Sequence, residues 1–328
     1  MEISGKIGGK IIEQVDLQLR GFLREYPTQD LDAERMEYLR RTRGAAEPLQ
    51  SDGLVELGER QIRGPGGAAL RVVTWQPRAP RQRPAGGGPA LLHIHGGGYV
   101  MGRPQDQDRM NRRIAAELGC LVVSVDYRLA PEHPFPAALD DCHAALAWLH
   151  ASADALGVDR RRIGLKAESA GGGLAACLSA RARDAGEHAV AFQWLVAPML
   201  DDRPGPAPAP HSAVGRHVWT RASNAFGWRS YLGPQAGASV LPRYAAAARE
   251  QDLRGLPPTW LAVGALDLFL DENLAYVRGL AHAGVPVALQ VYAGAYHSFH
   301  RAGDSAVNRA FERDGLAALQ AWFDRPPA

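Results

Sequence analysis

The 328-residue chain is poor in cysteine and lysine, and no run of eighteen apolar residues occurs in it. Its three cysteines, Cys120, Cys142 and Cys177, are odd in number, lie in apolar surroundings and lack CxxC spacing. That excludes a disulfide framework and reads as reduced core residues, so a cytoplasmic location is expected. The missing apolar run excludes a membrane-spanning helix. The opening stretch MEISGKIGGKIIEQVD has neither the apolar core nor the cleavage site of a signal peptide. An excess of one charge is also absent, since 37 basic residues face 35 acidic ones. The basic residues are arginines except Lys6, Lys10 and Lys166, and they alternate with acids without forming a block. Nucleic acid is therefore not an expected partner. Neither internal repeats nor low-complexity tracts appear.

What is present is the composition of a globular domain, with 46% apolar and 22% charged residues. Residues 1–50 carry helical spacing in IIEQVDLQLRGFLREY and again in LDAERMEYLRRTR. VELGERQIRG and ALRVVTWQPR follow as strand-like runs joined by a Gly/Pro turn, the pattern of a hairpin. PRAPRQRPAGGGP then reads as a loop. Beyond it strands and helices alternate, from ALLHIH through CLVVSVDY, RRIGLKA, AFQWLVAPML and TWLAVGALD to VALQVYAGA and a closing amphipathic helix. Such alternation predicts an α/β fold with a mostly parallel sheet covered on both faces. Residues 203–240 break the rhythm. They open with RPGPAPAPHS and carry Trp219, Phe226, Trp228 and Tyr231, which predicts an exposed insertion folding over the sheet's carboxyl edge together with the N-terminal helices.

Three motifs carry chemistry. Ala167-Glu168-Ser169-Ala170-Gly171-Gly172 lies between a short strand and a Gly/Ala-rich helix. A serine on so sharp a turn has its Oγ thrust outward and needs small neighbours two residues either side, here Ala167 and Gly171. The helix start favours negative charge beside it. Tight helix–sheet packing would also want small residues there. His95-Gly96-Gly97-Gly98-Tyr99 ends a buried strand, and three glycines let backbone N–H groups turn inward towards an oxyanion. Neither turn has GxGxxG spacing or a phosphate-loop lysine, which sets nucleotide binding aside. Near the C-terminus, Asp267 and His297 each follow a predicted strand, and the order Ser169, Asp267, His297 is that of a hydrolase triad. Asp271 competes for the acid but suits the next helix's first turn. His300 competes for the base but lies further from the strand end. His93 and His95 form an HxH pair without Cys or carboxylate ligands nearby, so no metal is expected.

Taken in order, His95 to Gly98, DYRLAPEHPFPAALDD, ESAGG, PMLDDR, DLFLDE and AYHSF resemble the hormone-sensitive-lipase-like α/β-hydrolases, especially their bacterial esterases. The likeness covers nearly all of the chain from residue 54. It implies a mostly parallel eight-stranded sheet flanked by helices, with 51–202 and 241–328 as catalytic domain. A helical cap would come from 1–50 and 203–240. It implies Ser169 as nucleophile, Asp267 as acid and His297 as base, with the N–H groups of Gly97, Gly98 and Ala170 as oxyanion hole. No cofactor is implied, and a homodimer through the last strand and its neighbouring helix is suggested. Tyr99, Trp219 and Phe226 are expected to line the substrate pocket. Two departures stand out: Ala167 replaces the usual elbow glycine, and Glu168 the frequent aspartate. Arg128 and Glu132 are expected to pair with each other or with nearby loops. The expected reaction is hydrolysis of short- to medium-chain acyl esters through an acyl-enzyme. Amide, lactone or carbamate hydrolysis, or ligand binding without catalysis, are the alternatives.

Overall fold

The computed structural model describes residues 12–44, 49, 51–78, 86–203 and 213–325. The first eleven residues, most of the Pro-rich stretch after residue 77 and nearly all of RPGPAPAPHS lie outside these. The expected hairpin is β1 (Val55–Arg63) and β2 (Ala69–Pro77), antiparallel in register from Val55 opposite Pro77 to Arg63 opposite Ala69. Then come β3 (Gly88–Ile94), α3 (Asp108–Leu118), β4 (Leu121–Val125), α4 (Ala137–Ala151), the short α5 (Ala153–Leu156), β5 (Val158–Glu168) and α6 (Ala170–Ala185). The chain continues with β6 (Gln193–Val196), α7 (Arg221–Leu232), β7 (Thr259–Gly264), α8 (Leu270–His282), β8 (Val287–Tyr292) and α9 (Ala306–Phe323). Before the hairpin stand α1 (Arg20–Glu25) and α2 (Ala33–Gly44).

The sheet has eight strands in the order β1-β2-β4-β3-β5-β6-β7-β8, and every pairing from β4 onward is parallel. Its central strands are apolar without alternation because helices cover both faces. Leu92 and Val123 pack with α4 and α6 on one face, whereas Leu91 and Val122 pack with α3 and α9 on the other. Successive side chains thus feed two separate cores. Gly171, Gly172 and Gly173 let α6 press close to the sheet: a Cβ on Gly171 would meet the carbonyl oxygens of Ile94 and His95.

The helical spacing of IIEQVDLQLRGFLREY is realised in pieces, with residues 17–19 forming a single 3₁₀ turn before α1. The Asp16 carboxylate accepts the Gln18 N–H at 2.9 Å and starts a new turn there, as a capping aspartate does. The aromatic residues of the insertion also differ from expectation. Trp219, Trp228 and Tyr231 are buried, because the segment folds back and stacks them on the sheet's carboxyl end. This segment meets the N-terminal helices directly. Ser223 Oγ accepts from Leu31 N at 2.9 Å, Thr28 Oγ1 from Val218 N at 3.0 Å, and Asp30 Oδ1 from the Thr220 hydroxyl at 2.5 Å. Arg40 of α2 then donates to the carbonyls of Val100 and Ala130, both at 2.7 Å, tying that helix to the loops at the strand ends.

Candidate active site

Ser169 sits between β5 and α6 with φ 55° and ψ −124°, a conformation that costs an L residue ~1–3 kcal/mol. It persists because three backbone bonds hold it. Its N–H donates to Val196 O at 2.9 Å, while its carbonyl accepts from Met199 N at 2.9 Å and Gly173 N at 3.1 Å. The strain turns Oγ towards His297. The serine hydroxyl donates to His297 Nε2 across 3.0 Å, and His297 Nδ1–H donates to Asp267 Oδ2 across 2.9 Å. The second oxygen of Asp267 accepts the Phe269 N–H at 2.9 Å, which fixes the carboxylate. All three residues are buried. Asp267 lies three residues past β7, in a turn closed by its own N–H to Gly264 O at 3.1 Å.

The two competitors are placed elsewhere. Asp271 is exposed in the first turn of α8. The His300 ring stacks on Phe311 with centroids 5.6 Å apart, and burial lowers its pKa to about 3. His93 has a third role. Burial, then the Lys166 charge, lower it to about 4, so it is neutral near pH 7. It accepts from Ser124 Oγ at 2.7 Å and donates to Glu168 Oε2 at 3.0 Å. Those partners assign its tautomer. The described residues hold no cluster of His, Cys, Asp or Glu suited to a metal ion.

Gly97 and Gly98 have φ 128° and 61°, values open to glycine and costly for other residues. Among the described residues no hydrogen bond takes up the N–H of either, nor that of Ala170 at the start of α6. Gly97, Gly98 and Ser169 border one cavity of about 920 Å³, and Ala170 follows the serine directly. Its floor is His95 to Gly98, Ser169 and His297, and its walls include Phe22, Tyr26 and Tyr38 from the N-terminal helices. Sequence reasoning passed over these three aromatics, because helical spacing alone makes no distinction between a core face and a pocket wall. Trp219 also lines the cavity. Its ring lies 6.2 Å from that of His297 and so close over Gly98 that a Cβ there would strike it.

Tyr99 and Phe226 do not line the cavity. Tyr99 takes φ 66°, which swings its ring beneath the site against Tyr231 at 4.1 Å, with its hydroxyl donating to Met199 O at 3.3 Å. Phe226 packs against the core from α7. Ala167 is an extended residue of β5, in register between Ile94 and Leu195, so its methyl group occupies ordinary strand space. The crowding expected there falls on Gly171 instead. Arg128 and Glu132 do not pair with each other. Arg128 makes a forked pair with Asp141, at 2.9 Å for both Nε–Oδ2 and Nη2–Oδ1, and Glu132 accepts from Arg40 at 2.7 Å. The Asp141 carboxylate is buried at the start of α4 and Arg40 reaches over from α2, so nearer partners take both.

A hydroxyl, an imidazole and a carboxylate bonded in series beside unpaired N–H donors define a serine hydrolase site. The comparisons with known proteins agree. A family model described as alpha/beta hydrolase fold matches residues 91–301. "Esterase LipI" of Mycobacterium tuberculosis is 40% identical over 227 residues, 69% of this chain and 69% of that protein. "Ethyl acetate hydrolase" of Pseudomonas putida is 34% identical over 72% of this chain and 73% of its own length. Among solved structures, "Bacterial Heroin Esterase" superposes with a TM-score of 0.86 at 34% identity, covering 96% of this chain and 99% of its own. The chain belongs to the α/β-hydrolase family, in its hormone-sensitive-lipase-like branch of bacterial serine esterases.

Proposed function

We propose that this chain hydrolyses carboxylic esters of short- to medium-chain acids through an acyl-enzyme formed on Ser169. The observation that carries the reading is the unbroken series from Ser169 through His297 to Asp267, at 3.0 and 2.9 Å, opening into the cavity. His297 takes the serine proton as Oγ attacks the ester carbonyl, and Asp267 holds the ring and offsets its charge. The N–H groups of Gly97, Gly98 and Ala170 take the developing oxyanion, a role in which one lost donor costs ~10²–10³ in rate. His297 then hands the proton to the departing alcohol, and water repeats the sequence on the acyl-enzyme. Trp219, set across Gly98, supports a short acyl side, and the name of the Pseudomonas putida relative supports the same class. A cavity of about 920 Å³ walled by Phe22, Tyr26 and Tyr38 leaves room for a larger alcohol.

The N-terminal helices and residues 213–240 act, in this reading, as the cap over a catalytic domain. A cytoplasmic location and a homodimer joined along β8, the sheet edge on which Val291 is exposed, complete it. Among the described residues no helix is long and apolar enough to cross a membrane. The test is hydrolysis of p-nitrophenyl esters from acetate to palmitate by the parent protein and by Ser169→Ala. Turnover that favours short chains and falls at least ~10³-fold in the variant is expected. Equal rates in the two proteins, or a preference for palmitate, would overturn the reading.

A further inference from the structure

One buried ionic group takes no part in the proton path. Lys166 is fully buried in β5, between the apolar Leu165 and Ala167, and its ammonium donates to Glu168 Oε1. Its other neighbour is the Trp194 ring, 5.3 Å away. Glu168 immediately precedes the nucleophile, and its second oxygen accepts from His93 Nε2 at 3.0 Å. His93 is in turn held by Ser124 Oγ at 2.7 Å and Asn111 Nδ2 at 3.2 Å. Lys166 and His93 sit opposite each other in the β3–β5 register, so the group occupies one face of the sheet just below the elbow. Glu168 borders the substrate cavity and also a second cavity of about 510 Å³ on the α9 side.

A carboxylate beside Ser169 opposes the chemistry proposed above, because negative charge develops on the substrate oxygen in the same low-dielectric pocket. Burial alone would raise Glu168 and keep it neutral, yet Lys166 and then His93 outweigh burial and hold it ionised. The other charged or titratable groups around it are few. Asp106, Arg109, Arg301, Asp304, Arg309 and Glu312 line the second cavity with it, Arg309 paired with Asp304, and His300 borders both spaces. Arg109 and Glu312 are bonded to each other. His95, one residue past β3, is buried and lowered by that burial. Lys166 is therefore the counter-charge in direct contact.

We propose that Lys166 is a positioning residue for the esterase reaction: its ammonium neutralises Glu168 beneath the nucleophile, so that the oxyanion forms beside a net-neutral pair. The inference rests on the ester-hydrolase reading. It predicts that Lys166→Met leaves a lone buried carboxylate whose ionisation enters the rate. At low pH, with Glu168 protonated, kcat approaches the parent's. As pH rises and the carboxylate ionises, kcat falls on the order of tenfold, a descending limb that the parent lacks.

The experiment is kcat against pH between 5 and 9, with p-nitrophenyl acetate, for the parent, Lys166→Met and Lys166→Met/Glu168→Gln. The double variant has neither charge and is expected to lose the new limb and to recover to within about threefold of the parent. A single variant without the limb, or a double variant as impaired as the single at every pH, overturns the proposal and makes Lys166 a packing residue. If Lys166→Met does not fold, the double variant carries the test: a folded enzyme with the parent's pH profile upholds the proposal, and failure to fold overturns it. A parent with no ester turnover would defeat the function itself, a result distinct from any of these.

Discussion

The floor and the roof of the cavity are built on different physical terms. The floor is backbone: Ser169 is held by three main-chain bonds, and Gly171 lies against the carbonyls of Ile94 and His95 with no room for a methyl group. The roof is side chains: Tyr26 and Tyr38 line it and are 62% and 47% exposed. The polar contacts that pin that roof each involve a side chain, among them Leu31 N to Ser223 Oγ and Arg40 to the carbonyls of Val100 and Ala130. Chemistry needs atoms held to fractions of an ångström, whereas a wall has only to exclude water and offer surface. The difference separates what sets kcat from what sets substrate choice.

The largest expected effect breaks the floor's proton path. Asp267→Asn or His297→Ala is expected to lower kcat by ~10⁴-fold with the melting temperature near the parent's, measured by steady-state kinetics and calorimetry. Next comes the floor's shape. Gly171→Ala forces Cβ onto two carbonyl oxygens and is expected to cost about 3 kcal/mol or more in denaturant unfolding, with activity lost alongside. An active, stable Gly171→Ala protein would mean that the floor yields as readily as the roof.

The third expectation concerns acid. His93, part of the floor's support, has a pKa lowered from 6.5 to about 4 on folding, so the unfolded chain binds the extra proton between those values. Stability is thus fully present above pH 6.5 and declines towards pH 4, by up to roughly 1.4 kcal/mol per pH unit from this group. His300, lowered to about 3, extends the decline in the same direction. Melting temperature measured from pH 7 to 4 checks this, and a flat curve contradicts it. The smallest effect belongs to the roof. Tyr38→Ala is expected to raise KM about two- to fivefold with kcat unchanged and stability within ~0.5 kcal/mol. If Tyr38→Ala cuts kcat as the floor variants do, the division between the two regions fails.

The same division governs how much was legible in the sequence. A floor made of backbone leaves its mark in residue type, because Gly97, Gly98 and Gly171 occupy places no other residue fits. The strands from β3 onward were likewise marked by apolar runs between glycines and helical stretches, and the hairpin before them by its Gly/Pro turn. The roof left a weaker mark. Tyr99 and Trp219 are both aromatic residues near glycines, and only the φ of 66° at Tyr99 sends its ring below the floor while Trp219 stays in the cavity. Lys166 was the missed signal that could have been found: a single lysine inside RRIGLKA, an otherwise apolar strand end, demands a buried partner. Arg128 and Glu132 were misread because their true partners, Asp141 and Arg40, come from other elements.

The roof also joins parts of the chain made far apart in time. Gln18 Oε1 accepts from Ala306 N at 2.6 Å, the Tyr296 hydroxyl donates to Leu19 O at 3.0 Å, and Leu31 bonds to Ser223. On a ribosome adding ~5–20 residues per second, the first of these segments waits on the order of ten seconds or more for its last partner. During that interval α1 lacks these partners, whereas Arg40 of α2 can already meet the carbonyls of Val100 and Ala130. The walls of the cavity are consequently completed only after residue 306 has been made.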